Sequence, residues 1–87
     1  MNREKIERAL QHWCWQHGHR VGRVDDVMTS SEVKVWRVTK QQAGQPYRVI
    51  EIGVSESALW PMSDSYHRIE PVTTDDVEQL LQEVVGR

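Results

Sequence analysis

The chain is organised around two runs rich in β-branched and aromatic residues, Val33-Lys-Val-Trp-Arg-Val-Thr-Lys40 and Tyr47-Arg-Val-Ile-Glu-Ile-Gly-Val54. Runs of this composition are typical of β-strands. The segment between them contains Gly44 and Pro46, two residues that favour a hairpin loop. The sequence therefore predicts an antiparallel hairpin over residues 33–54, with the other segments arranged on either side of it.

A first helix is predicted from Asn2, a good N-cap residue, to about His17. Its apolar residues follow the spacing of one buried stripe: Ile6, Leu10, Trp13 and Cys14 or His17. Gly18 suits the left-handed position that ends many helices. Trp15 lies about 200° around the helix from Trp13, so we expect one of the two rings at an edge or on the surface.

The most regular helical pattern closes the chain. Thr73 or Thr74 caps it, and three acidic residues in its first turn suit the positive end of the helix dipole: Asp75, Asp76 and Glu78. Its apolar stripe comprises Val77, Leu80, Leu81, Val84 and Val85. Gly86 ends the helix.

The segments between the helices predict an antiparallel sheet. A weaker first strand is expected over residues 21–28, with a bend near Asp25 and a turn over residues 29–32. With the hairpin it makes a three-stranded meander, and a short fourth strand is allowed near residues 66–70. The order is α-β-β-β-α. The prediction is therefore one small α+β domain over residues 1–87, with both helices packed on one face of the sheet.

The hairpin has one plainly apolar face on its second strand, formed by Ile50, Ile52 and Val54. On the first strand, turning Val35 towards that side would also bury Arg37, and a buried unpaired charge is costly. We therefore expect Trp36 to face the core and Arg37 to face outward.

That choice leaves an apolar strip on the face of the sheet away from the helices. Exposed apolar strips on small domains often mark interfaces. The contact residues predicted there, and on the irregular segment around Trp60, are Val33, Val35, Arg37, Tyr47, Val49, Glu51 and Trp60. We expect a non-enzymatic protein–protein interaction or regulatory domain that binds a protein partner, or binds itself as a homodimer through this face.

The alternative function is nucleic-acid binding, in particular of RNA. The hairpin carries four basic residues beside the aromatic rings of Trp36 and Tyr47, and this combination suits phosphates and stacked bases. The four residues are Lys34, Arg37, Lys40 and Arg48. They alternate between the faces of the hairpin, and the chain has a net charge of −2, which favours a protein partner instead.

The densest group of metal-capable side chains comprises His12, Cys14, His17 and His19. On a helix, His12 and Cys14 point about 200° apart, so we predict no metal site and no cofactor. Cys14 and His17 can approach each other, but no third group is apparent to orient a catalytic pair. Asp25 and Asp26 would point to opposite faces of a strand. No catalytic residue is predicted, and we expect the protein not to be an enzyme.

Composition adds two expectations. The net charge is +3 over residues 1–23, zero over residues 24–54 and −5 over residues 55–87, a polarity that suits a charged partner. The single cysteine excludes an intramolecular disulfide and suits a reducing compartment. No secretory signal and no apolar run of membrane-spanning length is apparent. We therefore expect a cytoplasmic protein that does not bind membranes.

Overall fold

The protein folds into a four-stranded antiparallel sheet with a helix at each end of the chain. A computed structural model describes residues 1–24, 32–41 and 43–86. The elements are α1 (Arg3–Gln16), β1 (Arg20–Val24), β2 (Lys34–Lys40), β3 (Arg48–Val54), β4 (Leu59–Pro61), a short 3-10 helix (Ser65–His67) and α2 (Thr74–Val84). The α+β class and the antiparallel meander β1-β2-β3 are confirmed.

The fourth strand, β4, comes before residues 66–70, the segment in which the sequence analysis allowed a short fourth strand. It pairs with the C-terminal end of β3, while Ile69 makes an isolated bridge to Leu59. The Asp64 carboxylate accepts a hydrogen bond from the backbone N–H of Tyr66 at 3.0 Å. This local hydrogen bond favours a turn over a strand, so the backbone forms a 3-10 helix there.

Only some of the predicted loops and turns lie within the described residues. Gly44 has a φ of 75°, the left-handed conformation that glycine adopts without strain from a Cβ, and it lies in the loop between β2 and β3 as predicted. The bend near Asp25, the rest of the first predicted strand and residues 29–31 of the predicted turn lie outside the described residues.

Helix α1 begins and ends where the sequence predicted. The Asn2 side chain accepts a hydrogen bond from the backbone N–H of Lys5 at 2.9 Å. At the other end Gly18 has a φ of 71°, and the backbone N–H of His19 donates to the Cys14 carbonyl at 2.9 Å. This is the Schellman arrangement, which satisfies carbonyls that the helix would otherwise leave without partners.

Helix α2 is held at both ends by side chains. The Asp76 carboxylate accepts hydrogen bonds from the backbone N–H groups of Val72 (2.9 Å) and Thr73 (3.1 Å), and these bonds hold the pKa of Asp76 below its ordinary value. At the C-terminal end the Lys40 ammonium donates to the Val85 carbonyl at 3.0 Å, where the helix dipole favours a cation. Lys40 thereby joins β2 to the end of α2.

Both helices share one core with one face of the sheet, as predicted. The residues that form it are Ile6, Ala9, Leu10, Trp13, Cys14, Trp36, Val38, Ile52, Val54, Leu59, Val77, Leu80, Leu81 and Val85. The core is apolar throughout: the residues that α1, α2 and the sheet contribute to it are all buried and hydrophobic. We call the side of the sheet that faces this core the inner face.

Trp36 faces the core, with 8% of its surface exposed, which confirms the predicted orientation of β2. Its indole Nε1 donates a hydrogen bond to Glu7 Oε2 of α1 at 2.6 Å. A largely buried indole N–H needs such an acceptor, because losing the hydrogen bond to water without replacement is costly. Glu7 is held in turn by Arg3, whose Nε lies 3.8 Å from Glu7 Oε1.

Replacing Glu7 with Ala should destabilise the protein by about 1–3 kcal/mol, because the Trp36 indole N–H loses its acceptor. Glu4→Ala is the matched control: Glu4 pairs with Arg8 at 2.8 Å on the same helix, but both side chains are largely exposed, so the loss should stay below about 1 kcal/mol. Urea denaturation of the two variants and the wild type measures both values. Equal losses in the two variants would contradict the structural role of Glu7.

Candidate protein interface on the outer sheet face

The outer sheet face is the side of the sheet turned away from α1 and α2. Directly opposed residues of an antiparallel pair lie on the same face, so the strand register gives its composition. Three rows of opposed residues cross it: Arg20, Thr39 and Val49; Gly22, Arg37 and Glu51; and Val24, Val35, Gly53 and Trp60.

The third row is closed by Trp60. A Cβ on Gly53 would lie 2.7 Å from Trp60 Cε2 and 2.8 Å from Met62 Sδ, so both side chains pack directly on the glycine. Gly53 is the cross-strand neighbour of Val35 on β2. Val35 is 1% exposed, in contrast to the prediction that it lies on an open strip. The orientation of β2 was predicted correctly, but the burial of Val35 was not predicted.

Trp60 lies on strand β4, so its segment is not the irregular loop that the sequence suggested. The indole is half-buried, and the Arg68 guanidinium carbon lies 5.7 Å from the centroid of its ring. Such a contact attracts the cation to the electron-rich ring. Gly53, Trp60 and Arg68 therefore form a local layer over one end of the outer sheet face.

The other end of the outer sheet face is open. Tyr47 is 67% exposed and Val49 is 52% exposed, while Met62, beside the Trp60 layer, is 44% exposed. Arg37 is exposed, whereas Glu51 and Val33 are half-buried. Of the seven contact residues predicted from the sequence, the structure thus leaves Tyr47, Val49 and Arg37 exposed.

The open face is also basic. Among the described residues, its three rows contain the guanidinium groups of Arg20 and Arg37 and one carboxylate, that of Glu51, and Arg68 lies over Trp60. The whole chain nevertheless has a net charge of −2. Positive charge on one face of an acidic protein attracts a partner of opposite charge to that face.

The four basic residues of the nucleic-acid alternative do not form one surface. Arg37 belongs to the outer sheet face. Lys40 and Lys34 lie in the rows of the inner face, where they are opposite Arg48 and Val54 in the strand register. Lys40 is also engaged with the carbonyl at the end of α2. A continuous track of cations, which binding to a phosphate backbone favours, is not formed by this set.

The histidines at the end of α1 pack on an aromatic ring. The His17 ring stacks on Trp13 at 4.2 Å between centroids, and its Nδ1 lies 2.8 Å from the Trp13 carbonyl oxygen. His19 lies 5.6 Å from the same indole, and its pKa is lowered by burial, by Lys40 and by His17. Within residues 1–24, 32–41 and 43–86, no three His, Cys, Asp or Glu side chains are grouped as metal ligands would be.

Cys14 lies beneath this cluster and is fully buried. Burial raises the pKa of its thiol to about 11, so the thiol is protonated at neutral pH. The thiolate is the nucleophilic form of cysteine. The neighbouring Trp15 is 68% exposed while Trp13 is 3% exposed, which confirms that one of the two rings lies on the surface.

Sequence reasoning missed two glycines that shape the outer sheet face. A glycine inside a strand often marks the close approach of another group, and Gly53 is such a position under Trp60. Gly22 is the opposite case, since a Cβ there would meet nothing within 4 Å. The residue type signals both positions, but only the register shows which side chains surround them.

Comparison with protein-family models, with curated proteins and with solved structures finds no significant match to this chain. Across the described parts of the chain, neither helix combines the length and the apolar composition needed to cross a bilayer.

The two ends of the outer sheet face should respond differently to the same substitution. Val35→Lys should unfold the protein or destabilise it by about 3 kcal/mol or more, because it introduces an unpaired charge at a fully packed position. Val49→Lys should change the free energy of unfolding by less than about 1 kcal/mol, because Val49 is half exposed. Urea denaturation measures both, and similar values for the two variants would contradict the closed and open ends described above.

Proposed function

We propose that the chain is a non-enzymatic protein-interaction domain that binds a partner protein through the outer sheet face. The observation that carries this proposal is the open end of that face, where Tyr47 and Val49 are exposed, together with exposed Arg37 and with Met62 beside the Trp60 layer. Aromatic, methionine and arginine side chains are enriched at the centres of interfaces. A small regulator or inhibitor of a larger protein fits this description, and the free thiol of Cys14 supports a cytoplasmic setting.

The charge of the face favours a different protein over a second copy of this chain. A two-fold dimer places the same patch on both sides of the interface. It would bring the guanidinium groups of Arg20 and Arg37 from both copies together, with Glu51 as the one carboxylate in the three rows of each copy. Like charges brought together at an interface are unfavourable, so we favour a heterologous partner.

Nucleic acid is less well supported than protein. Base stacking requires accessible ring faces, and the Trp60 indole already packs on Gly53 and beneath Arg68. Tyr47 contributes an exposed ring to the outer sheet face. This ring and a divided set of cations give a poor surface for single-stranded RNA.

The test is affinity capture from lysate of the cells that produce the protein, with covalent crosslinking to retain weak complexes. Wild type and the Val72→Lys control should capture the same partner, because Val72 is 79% exposed but lies just before α2, outside the outer sheet face. Val49→Lys should lose that partner, since it places a desolvated charge at the centre of the open end.

Two results would contradict the proposal. Equal capture by Val49→Lys and Val72→Lys would show that the contact lies elsewhere. A concentration-dependent dimer in light scattering, abolished by Val49→Lys, would show that the open end binds a second copy.

A further inference from the structure

The outer sheet face contains a shallow depression over β1 and β2, next to its open apolar end. Its volume is about 530 Å³. All five residues of β1, Arg20–Val24, line it, and Arg37 and Thr39 line it from β2. Of these lining residues, Arg20, Gly22, Arg37 and Thr39 belong to two adjacent rows of the outer sheet face. In the strand register Arg20 opposes Thr39, and Gly22 opposes Arg37. The two arginines therefore occupy one diagonal of a four-residue block.

Gly22 forms the floor of the depression. A Cβ at this position would meet no atom within 4 Å, so the missing side chain leaves space that a larger residue would fill. The positive-φ glycines are Gly18 and Gly44, so Gly22 has a backbone conformation that other residues adopt without strain. The space above Gly22 is thus a consequence of residue choice and is not required by the backbone.

Both arginines of the block are exposed to solvent. Among the described residues, no carboxylate forms an ion pair with Arg20 or Arg37. Glu51 opposes Arg37 on its other side, towards β3, and does not line the depression. The block therefore presents guanidinium donors and the Thr39 hydroxyl with no acidic side chain among its four members.

We propose that this depression binds an extended acidic segment of the partner protein, with Asp or Glu at alternate positions. Residues two apart in an extended chain point to the same side and are separated by about 6.6 Å. Diagonal neighbours on an antiparallel pair, such as Arg20 and Arg37, lie about 7–8 Å apart. Two carboxylates of such a segment match two guanidinium groups, and arginine binds a carboxylate through two parallel hydrogen bonds.

The floor at Gly22 suits this ligand. An extended segment needs room for its backbone between the two arginines, and the depression supplies that room. Beyond the block, Val49 lies in the row of Arg20 and Thr39, so the open apolar end adjoins the block. The inference rests on the proposed function, since it names the chemistry that the outer sheet face recognises.

The test is an NMR titration of ¹⁵N-labelled protein with a blocked synthetic peptide of alternating Glu and Val, alongside a Lys–Val peptide and a mixed-sequence single-stranded RNA. The Glu–Val peptide should shift the backbone amides of Gly22, Arg37 and Thr39, and the Lys–Val peptide should not. Arg20→Ala and Arg37→Ala should each raise the dissociation constant about fivefold, as expected for an exposed charge pair. Arg8→Ala, on the surface of α1, should leave it unchanged.

Gly22→Val separates shape from charge. It retains both arginines and fills the floor, so it should weaken binding by about tenfold or more, because a blocked site loses its contacts as a unit. The protein should be as stable as wild type or more stable, since valine suits a strand and no atom crowds the position. Urea denaturation confirms that the variant is folded.

Several results would overturn the inference. One is the absence of shifts at Gly22 and Thr39 with the Glu–Val peptide. The others are an unchanged peptide affinity in Gly22→Val and tighter binding of the RNA at the same amides. Shifts confined to Tyr47 and Val49 would overturn the acidic site but leave the proposed interface in place. The proposed function fails separately, when Val49→Lys captures the same partner as wild type.

Discussion

The hydrogen bond from the Trp36 indole to Glu7 couples the facing of β2 to the position of α1. Side chains alternate along a strand, so an inward Trp36 places Val38 inward and Arg37 outward. A shift by one residue would exchange every pair and bury Arg37 in an apolar core. The cost of that exchange makes the orientation of β2 strongly specified. The composition of the outer sheet face, and with it the proposed interface, depends on this one orientation.

A second contact decides how much of the outer sheet face is open. Trp60 packs on Gly53, where no side chain larger than hydrogen fits, and Val35 beside Gly53 is buried. The large aromatic residue fills the space that the glycine leaves. What remains accessible is the strip from the arginines of β1 and β2 to Val49 and Tyr47. The small domain thus has two covered surfaces, one under the helices and one under Trp60, with an open surface between β1 and β3.

The features predicted correctly from the sequence are those that depend on local residue order and on the periodicity of apolar residues. The spacing of Ile6, Leu10 and Trp13 located α1, and Asn2 and Gly18 located its ends. Strand β4 was missed because three residues ending in Pro61 are too few to show alternation. The close packing of Trp60 on Gly53 joins β4 to β3, and no local sequence pattern shows such a contact. The block around Gly22 likewise needs the pairing of β1 with β2, which sets Gly22 opposite Arg37.

The proposed interface requires an outer sheet face that is closed at Val35 and open at Val49. Methyl-labelled valine observed by NMR, with a soluble gadolinium chelate added, tests this claim without any substitution. The Val49 methyl signals should broaden strongly, because the side chain is 52% exposed, whereas the signals of Val35 and of the core residue Val38 should stay sharp. Equal broadening of Val35 and Val49, or protection of Val49 in the monomer, would contradict it.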